Sequence, residues 1–288
     1  MSIVLSTPES DELAEAVRVL REWQHDGASV PLHPGDLGWY WRFGAEATAK
    51  AVRIWRRDGR IRALGLLDGS GLARLGIAPG AAGDEDLARR LAADVSQPER
   101  GVLPQGTASV EARWRGVFHE LLLDGGWELS KPWTPLVRDL AEPVADCGVR
   151  IETTGPEQAS VRAAVQRAAF SRSTFTSERW HAMTTGPPYA DARCLIAYDD
   201  HGVAVATATV WSAGAGRPGL LEPMGVHRDH RGHGYGRAIT VASAAALREL
   251  GSSSATVCTA TANVGGVATY RSAGFRPLPD VRDLRRNA

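Results

Sequence analysis

The chain has 288 residues, enough for two domains of ordinary size, each with its own hydrophobic core. Its 33 Lys and Arg residues balance its 33 Asp and Glu residues, which argues against nucleic acid or a membrane surface as a partner. No run approaches ~18 apolar residues and the three cysteines are far apart, so we expect a cytoplasmic protein without a membrane span or a disulfide framework.

Predicted strands and helices alternate along the whole chain. In the first half, the predicted strands are 2–6, 51–55, 61–67, 72–77, 108–112 and 136–140, and the predicted helices are 9–23, 85–95 and 114–123. In the second half, the predicted strands are 149–153, 193–197, 203–211, 220–226 and 254–260, and the predicted helices are 156–170, 177–183 and 237–250, with another after Asn263. This order, with its antiparallel hairpins, indicates a mixed α/β fold.

The two halves match each other at an offset of about 148 residues. The matched pairs are 7–9 with 155–157, Gly76-Ile77 with Gly225-Val226, Gly126-Trp127 with Gly274-Phe275, and 137–140 with 281–284. Because these short matches keep one order and one offset, we predict two copies of one fold. The predicted domains are residues 1–142 and 147–288.

A glycine-rich segment, Arg231-Gly232-His233-Gly234-Tyr235-Gly236, joins a predicted strand to an Ala-rich helix. Such a turn directs free backbone N–H groups and the positive end of the helix dipole at one point, where a phosphate group can bind. Arg228, Arg231 and Arg237 add positive charge. The spacing fits neither G-x-x-x-x-G-K-[ST] nor G-x-G-x-x-G. The loop by itself leaves an anion cradle and a plain tight turn equally open.

A second motif follows the strand predicted at 254–260. Asn263 suits the N-cap of the next helix, and Tyr270 lies two turns later near the same helix face. Gly274 suits a left-handed C-terminal cap before Phe275 enters a strand.

The two motifs together resemble the acyl-CoA signature of the GNAT superfamily of N-acyltransferases. Arg231-x-x-Gly234-x-Gly236 is similar to [QR]-x-x-G-x-[GA], and the segment from Asn263 to Phe275 is similar to N-x-x-A-x-x-[LV]-Y-x-x-x-G-F. Gly266 and Thr269 depart from the pattern, where the family usually has Ala and an aliphatic residue. The resemblance extends over almost the whole chain through the order of the predicted elements.

The resemblance implies two tandem GNAT-like domains, each a mostly antiparallel twisted sheet flanked by helices, similar in plan to mycothiol synthase. It implies an acetyl-CoA-dependent N-acetyltransferase that acts directly on the primary amine of a small molecule, without a metal, as a monomer or homodimer. The alternatives are transfer of a longer acyl group and a non-catalytic acyl-CoA-binding or regulatory module. The implied acyl-CoA-binding residues are Met224, Gly225, Val226, Arg231, Gly232, His233, Gly234, Tyr235, Gly236, Arg237 and Asn263.

The resemblance also implies catalytic roles for two residues. Tyr270 is placed to donate a proton to the CoA sulfur, although its position also suits a packed aromatic side chain. Glu222 is the candidate general base, and a hydrogen-bonded or ion-paired carboxylate before Pro223 is an equal alternative. His227 is a minor alternative for proton transfer.

The first half of the chain lacks the residues to which the resemblance assigns acyl-CoA binding and catalysis. Its counterpart of the glycine loop, residues 82–87, contains Asp84, Glu85 and Asp86, and each pair of like charges at ~4 Å costs about 4 kcal/mol. Ala73, Arg115 and Leu122 stand where the second half has Glu222, Asn263 and Tyr270. We therefore predict a structural first domain and one active site, in the second.

Three histidines and a set of aromatic residues complete the candidates. His227, His230 and His233 are spaced like metal ligands, but the arginines beside them oppose a cation, so no metal is predicted.

The candidate acceptor-site residues are Phe170, Arg172, Ser173, Thr174, Phe175, Trp180 and Tyr189, with Trp39, Tyr40 and Trp41 from the first half. They suit a ring-bearing or amine-bearing small molecule and are also ordinary core residues.

Overall fold

The computed structural model describes residues 2–28 and 32–288. Its strands in chain order are β1 Val4–Ser6, β2 Val52–Arg57, β3 Arg60–Leu67, β4 Leu72–Ile77, β5 Ala108–Ala112, β6 Glu128–Asp139, β7 Arg150–Thr153, β8 Ala192–Tyr198, β9 Ala204–Trp211, β10 Gly219–Val226, β11 Ser254–Ala260, β12 Arg276–Pro277 and β13 Val281–Arg286. Its α-helices are α1 Leu13–Trp23, α2 Pro34–Tyr40, α3 Ala45–Ala51, α4 Glu85–Ser96, α5 Val117–Asp124, α6 Ala159–Ala169, α7 Ser177–Thr184, α8 Tyr235–Glu249 and α9 Val264–Ser272. The predicted mixed α/β class is confirmed.

The sequence did not predict α2 and α3. Pro34, Gly35 and Gly38 in α2 are poor interior helix residues, and neither helix exceeds seven residues. Burial supports α2 instead: Leu37 is 1% exposed, and a Cβ at Gly38 would lie 2.4 Å from the Trp211 ring. Tertiary packing therefore overrides local propensity in this segment.

The chain divides into two compact units, which we call unit 1 and unit 2. Unit 1 comprises residues 1–33, 45–133 and 280–288, and unit 2 comprises residues 34–44 and 134–279. Three segments differ from the predicted domains 1–142 and 147–288, and the first is residues 134–142, which lie in unit 2. Residues 34–44 pack in unit 2, and the C-terminal strand β13 pairs with β5 in unit 1.

The sheet of unit 1 has the order β1-β2-β3-β4-β5-β13, followed by residues 128–133 of β6. Its pairs are antiparallel except β4–β5, which is parallel. Between β2 and β3, Asp58 and Gly59 have φ of 53° and 74°, the left-handed backbone of a two-residue hairpin turn. The core of this unit includes Trp55, Leu75, Leu91, Phe118 and Leu284.

The sheet of unit 2 begins with residues 134–139 of β6 and continues β11-β10-β9-β8-β7. The pairs β7–β8, β8–β9 and β9–β10 are antiparallel, whereas β10–β11 is parallel. Small residues of α8 pack on this sheet, and the core includes Ala208, Leu221, Ile239, Leu247 and Phe275.

Both units repeat one arrangement at the end of a helix. In unit 2, the Phe275 N–H donates to the Tyr270 carbonyl at 3.1 Å around Gly274, whose φ is 84°. In unit 1, the Trp127 N–H donates to the Leu122 carbonyl at 3.0 Å around Gly126, whose φ is 85°. Leu122 thus occupies in unit 1 the place that Tyr270 occupies in unit 2.

Candidate functional site

Strands β10 and β11 of unit 2 separate part-way along their length. Their pairing consists of Gly219 with Ala255 and Leu220 with Thr256. The register of β10 on β9 shifts between Leu221 and Met224, which is a β-bulge. The bulge and the end of the pairing create an opening beside residues 222–226.

The backbone of β10 presents N–H groups to this opening. The His227 N–H donates to the Val205 carbonyl at 2.8 Å, so residue 227 faces β9. Successive residues of a strand point their N–H groups in opposite directions. The N–H groups of Val226 and Met224 therefore point away from β9, into the opening, where the sequence predicted acyl-CoA contacts.

Aromatic side chains hold the bulge in place. The Trp211 Nε1 donates to the Glu222 carbonyl oxygen at 2.7 Å, and Trp211 is fully buried. A Cβ at Gly225 would lie 2.6 Å from the Ala169 Cβ and 2.7 Å from the Phe170 ring. Gly225 is therefore required for the close approach of the end of α6 to β10, and Phe170, 39% exposed, stands beside the opening. Sequence reasoning missed Trp211, although its indole N–H is a signal for a buried hydrogen bond.

The glycine loop leads directly into α8. Gly232 and Gly234 have φ of 84° and 83°, a left-handed backbone that a Cβ would strain, and Gly234 is the N-cap of α8. The helix begins at Tyr235, two residues before the predicted start, so the amides of Tyr235 and Gly236 belong to its first turn. First-turn amides have no acceptor within the helix, and the space around the two left-handed glycines is open. This geometry suits a phosphate group, and the acyl-CoA-binding role of the loop stays a prediction.

The arginines of the loop are anchored by main-chain carbonyls. Arg228 donates to Ala168 at 2.9 Å and Arg231 donates to Ala169 at 2.9 Å, both at the C-terminal end of α6. Arg237 donates to Ser272 at 3.1 Å, at the end of α9. These contacts fix the loop and place three guanidinium charges around it.

Asn263 is the N-cap of α9, as predicted. Its Oδ1 accepts from the Gly266 N–H at 3.2 Å, and its Nδ2 donates to Thr259 Oγ1 at 3.1 Å. A Cβ at Gly266 would lie 2.3 Å from the Asn263 Nδ2, so the cap folded in this way accommodates only glycine. This contact explains the departure from the family's usual Ala at position 266.

Tyr270 lies on α9 with its side chain 7% exposed. Burial first, and then electrostatic interactions with Glu222 and Cys258, raise its pKa well above the ordinary tyrosine value. Its ring contacts Phe275, with 6.0 Å between ring centroids, and its hydroxyl group has no hydrogen-bond partner among the described residues. Tyr270 is therefore both a packed aromatic residue and a neutral hydroxyl donor close to half-buried Glu222.

The predicted acceptor-site residues form an aromatic group in unit 2. Trp39 of α2 stacks on Phe175 with 5.3 Å between centroids, and Tyr189 lies edge-on to Trp180 and to Trp211, 6.2 Å from each. Phe175 and Trp180 are 2% and 3% exposed, so they act as packing residues. Sequence reasoning missed Arg42, whose guanidinium lies 4.3 Å from the centroids of both Trp39 and Phe43.

Arg162 is a fully buried cation in the same unit. Its guanidinium donates to Gln166 Oε1 at 2.8 Å and to Thr209 Oγ1 at 3.1 Å, and it lies 5.3 Å from the Phe175 ring centroid. None of the described carboxylates pairs with it, and burial lowers its pKa. The sequence offered no signal for this residue, because Arg162 occupies an ordinary helical position.

The three histidines stand apart from any metal-binding group. His227 and His230 have ring centroids 5.2 Å apart, and His233 lies 6.1 Å from Tyr235. Within 2–28 and 32–288, no three His, Cys, Asp or Glu side chains are grouped as metal ligands, and the cysteines are free thiols.

None of the helices described is long and apolar enough to cross a membrane.

Unit 1 blocks the equivalent helix N-terminus with its own carboxylate. Asp84 Oδ1 accepts from the Leu87 N–H at 3.0 Å, and Asp84 Oδ2 pairs with Arg57 at 2.7 Å. Although burial opposes ionisation, these hydrogen bonds and the charge of Arg57 lower the pKa of Asp84. The helix corresponding to α9 has Gly116 as its N-cap, so Arg115, predicted at the Asn263 position, lies one residue earlier.

Residues 162–275 match the model of the Acetyltransferase (GNAT) family. This segment is similar to the acetyltransferase domains of that family. The matched segment begins in α6 and ends just after α9, and it contains both predicted motifs. The family that this segment matches is a family of acetyltransferases. No curated protein sequence matches the chain.

Solved structures share the tandem fold over the full length. A tandem GNAT protein from the clavulanic acid biosynthesis pathway is 16% identical, with a TM-score of 0.62 over 99% of this chain and 98% of that one. A GCN5-related N-acetyltransferase from Sphaerobacter thermophilus is 19% identical, with a TM-score of 0.60 over 99% and 95%. A GNAT acetyltransferase from Colwellia psychrerythraea is 15% identical, with a TM-score of 0.61 over 99% and 98%. At these identities the likeness concerns the fold.

Proposed function

We propose that the protein transfers an acetyl group from acetyl-CoA to the primary amine of a small molecule, with its active site in unit 2. The observation that supports this best is the Tyr270 hydroxyl group, protonated and without a hydrogen-bond partner among the described residues, near Glu222. The corresponding residue of unit 1, Leu122, has no acidic proton. The two units therefore differ where the chemistry requires a proton donor.

Binding of the donor would use main-chain groups. The first-turn amides of α8 and the arginines around the loop would hold the diphosphate, and the Val226 and Met224 N–H groups would polarise the thioester carbonyl. Acetyl-CoA supplies an activated acyl group on a thiol that leaves as a thiolate. Asn263 already caps α9, so its remaining capacity to contact the pantetheine arm is small.

Two protons must move during transfer. The amine nitrogen loses one proton as it becomes an amide, and Glu222, half-buried on the bulge, is the candidate acceptor. The departing sulfur takes up one proton, which the Tyr270 hydroxyl group can donate. Phe170, beside Gly225, would form one wall for the amine.

The test is turnover of acetyl-CoA with a panel of amino sugars, amino-cyclitols, amino acids and peptide N-termini, with release of free thiol as the signal. We expect Tyr270→Phe to lower kcat by about 10²-fold or more while acetyl-CoA binding is kept. Tyr198→Phe is the matched control, because Tyr198 lies at the end of β8, away from the opening, and contacts Arg150 of β7.

Other outcomes separate the alternatives. Acetyl-CoA binding without turnover of any amine would favour a binding or regulatory module. Faster turnover of a longer acyl-CoA would favour a different donor. If acetyl-CoA neither binds the protein nor raises its unfolding temperature, the proposal is wrong.

A further inference from the structure

Unit 1 has an opening of its own between β4 and β5. The two strands pair from Leu72 with Ser109 to Leu75 with Ala112, and the pairing ends there. The Ala78 N–H donates to the Arg62 carbonyl at 2.9 Å, so the N–H and C=O of Ile77 point away from β3, into the opening. A cleft of about 310 Å³ lies here, within the range of small-molecule sites.

The walls of this cleft are largely aromatic and apolar. Trp23 at the end of α1 and Trp114 after β5 are half-buried, and both pack against the core of unit 1. Ile77 and Pro79 line the same cleft. Two indole rings on one core favour a flat ring that can stack or meet them edge-on.

The arginine that lines the cleft is already ion-paired within the protein. Arg113 lines it, but this side chain is 5% exposed and pairs with Asp283 at 2.8 Å and Glu111 at 3.4 Å. Asp84 occupies the N-terminus of α4, where a phosphate group would otherwise bind. Acyl-CoA, with its diphosphate, therefore does not suit this cleft.

The side chain of Gln24 is the polar group that would form a hydrogen bond with a ligand in this cleft. It is 4% exposed and lines the cleft, and its Nε2 donates to the carbonyls of Leu20 at 2.9 Å and Leu32 at 3.0 Å. Because both neighbours are acceptors, the amide orientation is determined, and Oε1 must face the other way. Oε1 has no hydrogen-bond partner among the described residues, so it can accept a hydrogen bond from a ligand.

We propose that this cleft of unit 1 is a second, non-catalytic binding site. It would bind an uncharged, planar ring compound that carries an N–H or O–H donor. The Trp23 and Trp114 side chains contact the ring, and Gln24 Oε1 accepts its hydrogen bond. The Ile77 N–H and C=O offer one further donor and acceptor at the opening. This site is independent of acyl transfer in unit 2.

The test uses indole as the probe, with saturation-transfer NMR on the full-length protein. We expect indole to bind. We expect 1-methylindole, which lacks the N–H group, to bind about fivefold more weakly. Ala82→Trp fills the cleft from an exposed rim position and should abolish the signal, whereas Ala14→Trp on the exposed face of α1 should leave it unchanged. Pro79→Trp is a second rim variant should Ala82→Trp fail to fold.

Three results would overturn the proposal. They are no saturation transfer to indole at millimolar concentration, equal transfer in the rim variants, and displacement of indole from the wild-type protein by acetyl-CoA. Equal affinity for 1-methylindole would overturn the role of Gln24. None of these results depends on amine turnover, so failure here is distinguishable from failure of the proposed acetyltransferase activity.

Discussion

The carboxylate of Glu222 acts on the hydroxyl group of Tyr270: after burial, its negative charge is the largest influence that raises the pKa of Tyr270. The candidate proton acceptor and the candidate proton donor of unit 2 therefore interact electrostatically. An ionised Glu222 disfavours a second negative charge on Tyr270, which suits the proton-donor role that we propose for Tyr270.

This relationship predicts the alkaline behaviour of the enzyme. Because the pKa of Tyr270 lies above the ordinary value of ~10, we expect kcat to stay level from about pH 8 to about pH 10. A pH profile of kcat with saturating acetyl-CoA and amine measures this. A fall in kcat with an apparent pKa of about 9 or lower would contradict the assignment of Tyr270 as the proton donor.

The same pKa predicts how stability changes with pH. Below about pH 10 Tyr270 is protonated in both the folded and unfolded states, so its contribution is fully present, and it is lost as pH rises through the folded-state pKa. Because the buried Tyr270 hydroxyl group has no hydrogen-bond partner among the described residues, Tyr270→Phe should be about as stable as the wild type below about pH 10. Above about pH 10 the wild type should lose stability relative to Tyr270→Phe, which denaturant titrations of both proteins measure. A difference that stays constant to high pH would show that Tyr270 ionises as readily in the folded state as in the unfolded chain.

Much of the fold, and part of the candidate site, follows from local sequence rules. The strand 72–77 and the strand 108–112 have the predicted bounds, and Asn263 and Gly274 cap α9 as their residue types require. The bulge of β10 was not predictable, because it depends on the Trp211 indole that reaches the Glu222 carbonyl from a neighbouring strand. Local rules describe caps and turns, whereas this contact exists only after two strands pair.

Neither the burial of Arg162 nor the exchange of segments between the two units could be predicted from the sequence. Arg162 sits at an ordinary helical position, and only the tertiary fold places it among Gln166, Thr209 and Phe175 without a carboxylate. Residues 34–44 precede most of unit 1 in the chain, yet they pack in unit 2. An internal repeat predicts two similar folds and carries no information about which segment completes each one.

A left-handed glycine in the loop should be required for acyl-CoA binding. We expect Gly234→Ala to cost about 1 kcal/mol of stability and to weaken CoA binding about fivefold or more, because it disturbs the N-cap of α8. Gly216→Ala is the matched control, since Gly216 has φ of 71° with open space around it and lies outside the loop. Calorimetric titration with CoA measures both variants, and equal weakening in the two would argue against a phosphate-binding loop.

Each chain should bind one acyl-CoA. Asp84 occupies the α4 N-terminus of unit 1 with its own charge, so calorimetry should give one CoA per chain in the wild-type protein. Asp84→Ala removes the cap and the pair with Arg57 and should lower stability by about 1 to 2 kcal/mol without changing kcat. Two equivalents of CoA in the wild-type protein would refute the assignment of a single site.

Replacing the buried arginine should stabilise the protein. Arg162 gives up its hydration without gaining a carboxylate partner, so we expect Arg162→Met, of similar length, to raise the free energy of unfolding by about 1 kcal/mol or more. Arg162→Ala leaves a cavity and should be less stable than Arg162→Met by about 2 kcal/mol. Denaturant titration distinguishes the two. A large loss of stability in Arg162→Met would show that the bonds to Gln166 and Thr209 outweigh the desolvation.

The position of β13 has a consequence for synthesis of the chain on the ribosome. Translation proceeds from the N-terminus, so residues 45–133 of unit 1 emerge before residues 134–279 of unit 2, whereas the strand that pairs with β5 lies in residues 280–288 and emerges after them. Until then, the edge of β5 at Ser109 and Val110 has no partner from β13, and unpaired strand edges are aggregation-prone. This edge of unit 1 therefore stays open to non-native pairing during synthesis of residues 134–279.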